Sequence, residues 1–260
     1  MPFAKVNGID LYYEDHGQGA PVIFVHGGGG NHLSWWQQVP AFWKRYRVVT
    51  LDLRGFGVSH NTSNQSGADI LASDLLGLMD HLEIKKAYLV AQSLGGWAIW
   101  GAAEKAPERV IAMVMADTPG GVPVAATAQW AKETRERGGS VLDRAIAPRL
   151  AIERPDLAFL YRQIQGLNDR RPMDTKAPSP LADAHARPPR PLTKWPIPTL
   201  FIVGEEDAIT TAPFIETVAK AVPGARLIKF AGAGHSVYFE KAPEFNKAVL
   251  EFFGEVERGG

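Results

Sequence analysis

The chain has 260 residues, of which 45% are hydrophobic, so it is long enough to bury the core of a single α/β domain. Its 28 Lys and Arg residues equal its 28 Asp and Glu residues, which leaves no basic surplus to attract nucleic acid or an anionic membrane surface. Cysteine is absent, which excludes disulfides, thiolate zinc sites and cysteine nucleophiles. The N-terminus lacks the apolar stretch of a signal peptide and no later run has membrane-spanning length, so a cytoplasmic location is expected.

The first predicted elements are FAKVNG and IDLYYEDHG, whose alternating hydrophobic and polar residues predict an antiparallel hairpin at a sheet edge. Short runs rich in Val, Ile, Leu and Phe follow, and each ends in a glycine-rich or polar turn. They predict buried strands at 21–27, 46–55, 87–93, 110–117, 198–204 and 225–232. Helical segments are predicted at 68–83, 94–108 and 242–256. This alternation is typical of a parallel sheet covered by helices.

The alternation of strands and helices stops after Thr118. Segments 124–138 and 140–165 have amphipathic helical patterns, and the proline-rich stretch 170–198 is predicted to be irregular. We interpret this part of the chain as a helical cap inserted into the core. The predicted division is therefore a first part of the core, the cap and a second part of the core: 1–118, 119–196 and 197–260.

Ser93, in AYLVAQSLGGWAIW, lies where a buried strand is predicted to meet a helix. Small residues flank it at Ala91 and Gly95, as a tight strand-to-helix turn requires. Such a turn exposes the hydroxyl at a helix N-terminus, where peptide dipoles favour developing negative charge. Ser93 is therefore the candidate nucleophile. The competing interpretation is a helix N-cap, which is a common position for serine.

A serine hydroxyl needs a base within hydrogen-bond distance, and His235 is the candidate. It follows the last predicted strand in the glycine-rich segment AGAGHSVYFE, which can bring the imidazole over the carboxyl edge of the sheet. Four other histidines lie in a predicted helix, in the proline-rich stretch or in polar turns, where structural or surface roles are expected: His81, His185, His16 and His60.

Two aspartates follow predicted strands and could orient His235: Asp207 in FIVGEEDAIT and Asp117 in VMADTPGG. A carboxylate in this role fixes the imidazole tautomer and stabilises its charged form. The aspartate without this role is expected to cap a turn.

Four consecutive glycines in HGGGGNHLSWW follow the strand expected beside that of Ser93. Without side chains, their amides can approach a substrate oxygen, so the amides of Gly28 and Leu94 are the predicted oxyanion-hole donors. A phosphate-binding loop is the alternative, but neither G-K-[ST] nor a properly spaced G-x-G-x-x-G occurs. Neither histidine clusters nor carboxylate spacing indicates a metal site, so no metal or cofactor is expected.

Four motifs occur in the order found in the α/β-hydrolase superfamily: HGGGG, DLRGFGVS, the Ser93 turn, and G-x-x-D followed by GHS. Over nearly its whole length the chain resembles this superfamily, and most of all its small bacterial esterases, enol-lactonases, lactonases and C–C bond hydrolases. The resemblance implies a mostly parallel eight-stranded sheet flanked by helices, with an inserted helical cap. The chain order of serine, acid and histidine favours Asp207 over Asp117. Within DLRGFGVS, Asp52 and Arg54 are expected to fix a loop rather than react.

The activity implied is hydrolysis of a small-molecule carboxylic ester or lactone through an acyl-enzyme. The related C–C bond hydrolases typically carry Trp directly after the catalytic histidine, whereas Ser236 follows His235 here, which favours esters or lactones. Serine at the nucleophile position argues against haloalkane dehalogenases and epoxide hydrolases, which use Asp. Trp35 and Tyr238 are expected to line an apolar substrate pocket.

Three alternatives stay open. The first is a C–C bond hydrolase of the meta-cleavage type. The second is a cofactor-free oxygenase, in which a His/Asp pair deprotonates the substrate, a role that would suit Asp117, and the serine only helps to bind it. The third is not an enzyme but a ligand-sensing relative of the hydrolases. The sequence also leaves a homodimer open.

Overall fold

The structure is a computed structural model that describes residues 2–63, 65–136, 140, 142–168 and 190–259. Within these residues, eight strands form one sheet: β1 (Phe3–Val6), β2 (Ile9–His16), β3 (Ala20–Val25), β4 (Tyr46–Leu51), β5 (Ala87–Gln92), β6 (Val110–Ala116), β7 (Thr199–Gly204) and β8 (Arg226–Phe230).

The α-helices of the described residues are labelled in chain order: α1 (Val39–Phe42), α2 (Ala68–His81), α3 (Gly95–Lys105), α4 (Ala126–Glu136), α5 (Pro148–Glu153), α6 (Pro155–Gly166), α7 (Ala212–Lys220), α8 (Val237–Glu240) and α9 (Ala242–Gly259). Short 3-10 helices occur at His32–Trp35, Pro107–Arg109 and Leu142–Arg144. In the described part of the chain, none of the helices combines the length and the apolar character that crossing a bilayer requires.

The strand order across the sheet is β1, β2, β4, β3, β5, β6, β7, β8. β1 and β2 pair antiparallel, as do β2 and β4, and every other neighbouring pair is parallel. The predicted edge hairpin and the predicted mostly parallel eight-stranded sheet are therefore confirmed.

The central strands are mostly apolar, with few polar residues, because helices cover both faces of the sheet. In β3, Val22 and Phe24 belong to the core on one face, whereas Ile23 and Val25 belong to the core on the other. Helices α2 and α3 pack on the second face, and α9 packs on the first. An uninterrupted apolar run is thus the sequence pattern of a strand that packs on both sides.

The ends of all three predicted core helices move in the structure. The helix predicted at 68–83 ends at His81. The helix predicted at 94–108 ends at Lys105, because Pro107 begins a 3-10 helix and has no amide hydrogen to continue the α-helical bonding. The C-terminal helix predicted to end at residue 256 continues to Gly259. None of these changes affects which face of the sheet the helix covers.

Between β6 and β7, the described residues form α4, α5, α6 and one 3-10 helix. The segment 140–165, predicted as one amphipathic run, is divided in the structure. Pro148 and Pro155 each take the first turn of a new helix, where a missing amide hydrogen costs nothing. Most of the predicted irregular stretch lies outside the described residues, and the boundaries of the cap at 119 and 196 stay a prediction.

The cap helices pack beside the loops that follow β7 and β8. The indole of Trp130 in α4 stacks on Phe214, with ring centroids 5.2 Å apart, and donates a hydrogen bond of 2.7 Å to the carbonyl of Ile209. Tyr161 in α6 makes an edge contact of 5.0 Å with the ring of Phe239. The cap therefore contacts the core close to Asp207 and His235.

The segment DLRGFGVS forms the loop after β4, as predicted. Asp52 accepts hydrogen bonds from the backbone amides of His32 and Val58, at 2.6 and 2.9 Å. The Arg54 guanidinium forms a two-point ion pair with Asp74, and both side chains are 1% exposed. Because both charges are buried and paired, they hold this loop against α2 rather than serving chemistry.

Candidate active site

The parallel strands bring the candidate residues to one edge of the sheet. Ser93 follows β5, Asp117 follows β6, Asp207 follows β7, and His235 lies beyond β8. Strands that run in the same direction present their carboxyl ends together, and the loops there commonly form binding sites.

Ser93 occupies a strained turn, with φ of 46° in the left-handed region that side chains rarely adopt. Its amide donates to the carbonyl of Ala116 at 3.0 Å, and its own carbonyl accepts from the Thr118 hydroxyl at 2.6 Å. A Cβ at Gly95 would clash with the carbonyl oxygen of Val25, so α3 must begin with glycine to approach β3. The predicted tight strand-to-helix turn is thus present, and it holds the Ser93 side chain half-buried at the start of α3.

The structure brings Ser93, His235 and Asp207 together in a hydrogen-bonded series. Ser93 Oγ lies 2.9 Å from His235 Nε2, and His235 Nδ1 lies 2.8 Å from Asp207 Oδ2. An ionised carboxylate can only accept, so Nδ1 carries the hydrogen and Nε2 is free to accept from the serine hydroxyl. This arrangement can remove the serine proton.

Asp207 is held by its own turn. Its Oδ1 accepts from the amides of Ile209 and Thr210, at 2.7 and 2.9 Å, and its Oδ2 accepts from the Thr210 hydroxyl at 2.7 Å. These donors stabilise the charged carboxylate and fix its orientation, with Oδ2 directed at His235.

Burial and charge act in opposite directions on this pair. Burial alone would lower the pKa of His235, but the neighbouring Asp207 carboxylate outweighs it and raises that pKa above its usual value. Burial would likewise raise the pKa of Asp207, but the imidazole and the hydrogen bonds from Thr210 and Ile209 lower it. The pair therefore favours an ionised Asp207 next to an imidazole that holds a proton readily.

Asp117 is fully buried and bonded to the backbone instead of to the imidazole. Its Oδ1 accepts from the Gly204 amide at 3.0 Å and its Oδ2 from the Val237 amide at 3.1 Å. Burial, followed by the negative charge of Asp207, raises the pKa of Asp117 well above its usual value. The side chain joins the end of β7 to the start of α8, so the geometry favours Asp207 as the partner of His235.

The four consecutive glycines at 27–30, called the glycine loop below, lie directly beside Ser93. A Cβ built on Gly27 would lie 3.0 Å from the Cβ of Ser93, whereas one built on Gly28 would meet nothing within 4 Å. Within the described residues, the amides of Gly28 and Leu94 donate to no other group. Both predicted donors are therefore unoccupied by protein, next to the serine hydroxyl.

His26 controls the direction of the Gly28 amide. Its Nδ1 donates to the Gly27 carbonyl at 2.7 Å, and its Nε2 accepts from the Leu53 amide at 2.9 Å. In a trans peptide, the carbonyl and the following N–H point in opposite directions, so holding the Gly27 carbonyl also orients the Gly28 N–H. Only the neutral imidazole can make both bonds, and burial lowers the pKa of His26 to about 4.

This burial predicts a pH-dependent stability. The unfolded chain binds the His26 proton with a pKa of 6.5, whereas the folded protein binds it only at about 4, so acid favours unfolding between these values. Above pH 6.5 the contribution is fully present, and it is lost as the pH falls towards 4. In denaturant titrations, we expect the wild type to lose about 3 kcal/mol more than His26→Gln over this window. Equal pH slopes in both proteins would contradict the assignment.

The two predicted pocket residues lie in the core, which corrects the prediction. Trp35 is fully buried, with its ring centroid 4.5 Å from that of Tyr238 and 5.0 Å from that of Phe24. Tyr238 also packs against Phe245 of α9. The 3-10 helix after the glycine loop turns Trp35 inwards, where its large ring fills core volume.

The four histidines expected to have other roles do not join the hydrogen-bonded series as far as they are described. His81 lies in a helix as predicted and is the last residue of α2, whereas His16 ends β2 instead of lying in a turn. His60 lies in a loop, and His185 falls outside the described residues. No three His, Asp or Glu side chains of the described ranges are grouped as metal ligands would be.

Reasoning from the sequence did not identify three residues that support the site. His26 precedes the glycine run, and Thr210 stands three residues after Asp207, a spacing typical of a local aspartate turn. Gln92 precedes the nucleophile, and its amide donates to the His235 carbonyl at 2.7 Å. The first two have a local signal in the sequence, but the bond of Gln92 joins residues 143 apart.

Comparison with known proteins agrees with the fold described above. A family model described as the alpha/beta hydrolase fold matches residues 20–242. A thermophilic esterase from Thermogutta terrifontis is 27% identical with a TM-score of 0.80, covering 98% of this chain and 97% of the esterase. A meta-cleavage product hydrolase from Pseudomonas fluorescens is 26% identical with a TM-score of 0.79, covering 98% of each chain. The enol-lactonase from Burkholderia xenovorans is 26% identical with a TM-score of 0.76, covering 97% of this chain and 100% of the enol-lactonase.

Proposed function

The chain belongs to the α/β-hydrolase family, and on that premise we propose that it is a serine hydrolase that cleaves a carboxylic ester or lactone. The observation that carries this proposal is the hydrogen-bonded series from Ser93 Oγ through His235 to Asp207. It lies beside two backbone amides that no protein group occupies within the described residues. A nucleophile, its base and oxyanion donors at one place support acyl transfer.

In the proposed first half-reaction, His235 Nε2 takes the Ser93 proton as Oγ attacks the substrate carbonyl carbon. The carbonyl oxygen becomes an oxyanion that accepts from the amides of Gly28 and Leu94. The intermediate collapses when the carbon–oxygen bond to the alcohol breaks, and His235 returns the proton to that alkoxide oxygen. In a lactone the alcohol stays attached to the acyl group.

In the second half-reaction, water takes the position of the departing alcohol. His235 removes a proton from the water, which attacks the acyl carbon, and the proton then passes to Ser93 Oγ as the carboxylic acid leaves. Asp207 keeps the imidazole in the required tautomer and stabilises its charged form in both halves. No step requires a cofactor.

A cavity of about 320 Å³ lies within the predicted cap, and it is lined by Asp143, Ile146, Tyr161, Arg162 and Gln165. One of these residues, Tyr161, connects the cavity to the residue after His235, because its hydroxyl lies 3.0 Å from Ser236 Oγ. Asp117 does not favour the oxygenase alternative, because backbone amides occupy both of its oxygens.

The test is a substrate panel run on the wild type and Ser93→Ala in parallel: p-nitrophenyl esters of increasing acyl length, simple lactones and a ring-opened meta-cleavage product. We expect turnover of an ester or lactone that depends on Ser93 and persists in EDTA. Turnover of the meta-cleavage product alone would replace the proposal with C–C bond hydrolysis. No turnover of any class by folded protein would contradict both.

A further inference from the structure

The glycine loop has one backbone hydrogen bond of its own, from the Gly30 amide to the Gly27 carbonyl at 3.0 Å. Preorganised oxyanion donors require the other peptides of the loop to be restrained as well. Glycine has the largest backbone freedom of any residue, and Gly29 sits at a φ of 84°. Oxyanion donors are effective only when they are already aimed at the developing charge. His26 restrains the first peptide of this loop, but the carbonyl of Gly29 lies beyond its reach along the chain.

A residue of the cap supplies a second restraint. Asn168, which follows α6, donates from Nδ2 to the Gly29 carbonyl at 2.6 Å, and its Oδ1 accepts from the Gly57 amide at 2.8 Å. The neighbouring Asn31 donates from its side chain to the Ile164 carbonyl of α6 at 2.8 Å. Two hydrogen bonds therefore tie the glycine loop to the end of this helix.

The far end of the Asn168 bridge is itself fixed. Gly57 precedes Val58, whose amide donates to the buried Asp52, and Asp52 also accepts from the His32 side chain at 2.7 Å. The bridge thus runs from a buried carboxylate through Asn168 to Gly29. Only one orientation of the Asn168 side-chain amide makes both hydrogen bonds, because Gly29 offers a carbonyl and Gly57 offers an N–H.

We propose that Asn168 is a positioning residue for the oxyanion hole: it holds the glycine loop so that the Gly28 amide faces the substrate carbonyl. This inference rests on the proposed hydrolase function. It makes the cap a part of the catalytic geometry, since a residue 139 positions from Gly29 restrains the loop.

The bridge offers a discriminating variant. Asn168→Asp keeps an acceptor for Gly57 but cannot donate to Gly29, and its charge repels that carbonyl, whereas Asn168→Ala loses both bonds. Leu167→Ala is the matched control, because the Leu167 side chain is 60% exposed and next to Asn168 in the chain. Circular dichroism and thermal unfolding establish that each variant is folded.

For Asn168→Asp, we expect kcat to fall by about 10-fold to 100-fold, less than the loss of a donor itself, while KM changes by less than about threefold. Affinity for a trifluoromethyl ketone analogue of the substrate should fall by the same factor as kcat. Leu167→Ala should match the wild type. A kcat within about twofold of wild type in Asn168→Asp, or a loss confined to KM, would overturn the proposal.

Hydrogen exchange measured by mass spectrometry tests whether Asn168 restrains the glycine loop, and it does not depend on catalytic activity. In Asn168→Asp and Asn168→Ala, the peptide covering residues 26–31 should exchange faster than in the wild type, while the peptide covering β5 is unchanged. Unchanged exchange in the glycine loop would overturn the inference even in an active enzyme. If the wild type hydrolyses no ester or lactone, the proposed function fails, and the exchange result still decides whether Asn168 restrains the loop.

Discussion

Ser93→Ala is expected to lower kcat for ester turnover by about 10⁵-fold to 10⁶-fold while the protein stays folded. The substitution removes the attacking oxygen but no core volume, and the hydrogen bonds made by the Ser93 amide and carbonyl are backbone bonds that alanine retains. Alanine also meets the same left-handed φ as serine, so the strain of the turn changes little. Steady-state kinetics together with thermal unfolding separate the catalytic loss from a folding defect.

A matched serine provides the control for this prediction. Ser73 is half-buried on α2. Its hydroxyl donates to the Asp69 carbonyl at 2.8 Å and accepts from Lys105 Nζ at 3.0 Å, so Ser73→Ala should retain wild-type kinetics. A serine-directed phosphonate should label Ser93 in the wild type and leave Ser93→Ala unlabelled. An adduct on another residue, or turnover by Ser93→Ala near that of the wild type, would remove Ser93 from the mechanism.

The second large effect is expected at the carboxylate that orients His235. Asp207→Asn should lower kcat by about 10³-fold to 10⁴-fold with little change in KM, because the amide can no longer hold the proton on Nδ1 or stabilise the charged imidazole. The 2.8 Å contact between Asp207 and His235 motivates this expectation. The measurement is kcat and KM of the wild type, Asp207→Asn and Asp117→Asn on one substrate.

Asp117→Asn is the paired variant and should affect stability more than rate. Asparagine keeps one carbonyl oxygen for the amides of Gly204 and Val237 but sets an NH₂ group against the other, which costs about 1–3 kcal/mol in the free energy of unfolding. A greater kcat loss in Asp117→Asn than in Asp207→Asn would reverse the roles. Similar moderate losses in both would indicate a shared role, which the double variant would reveal as coupling.

Much of the architecture follows from local sequence patterns. The apolar run of β5 and its small flanking residues predict a buried strand that turns sharply into a helix at Ser93, because burial on both faces and a tight turn each restrict the residues allowed. The order of the motifs then predicted the family, and the comparisons confirm it. These signals are local, so they need no knowledge of how the chain closes on itself.

Other features depend on contacts between distant parts of the chain. Trp35 follows the glycine loop, and an aromatic residue there is equally compatible with a pocket wall or a core, until α9 and Tyr238 are seen to close over it. Pro148 and Pro155 show the opposite case, since the division of the cap helices at these residues could have been predicted from proline chemistry.

The sequence by itself determined the sheet, the turn at Ser93, the placement of His235 beyond the last strand and a choice of two aspartates. Only the tertiary structure decided that Asp207 contacts the imidazole while Asp117 binds backbone amides, and that Asn168 reaches Gly29. The physical reason is that periodicity and turn chemistry act over a few residues along the chain. A hydrogen bond of 2.6 to 3.0 Å between residues far apart in sequence depends instead on the packing of whole helices and strands.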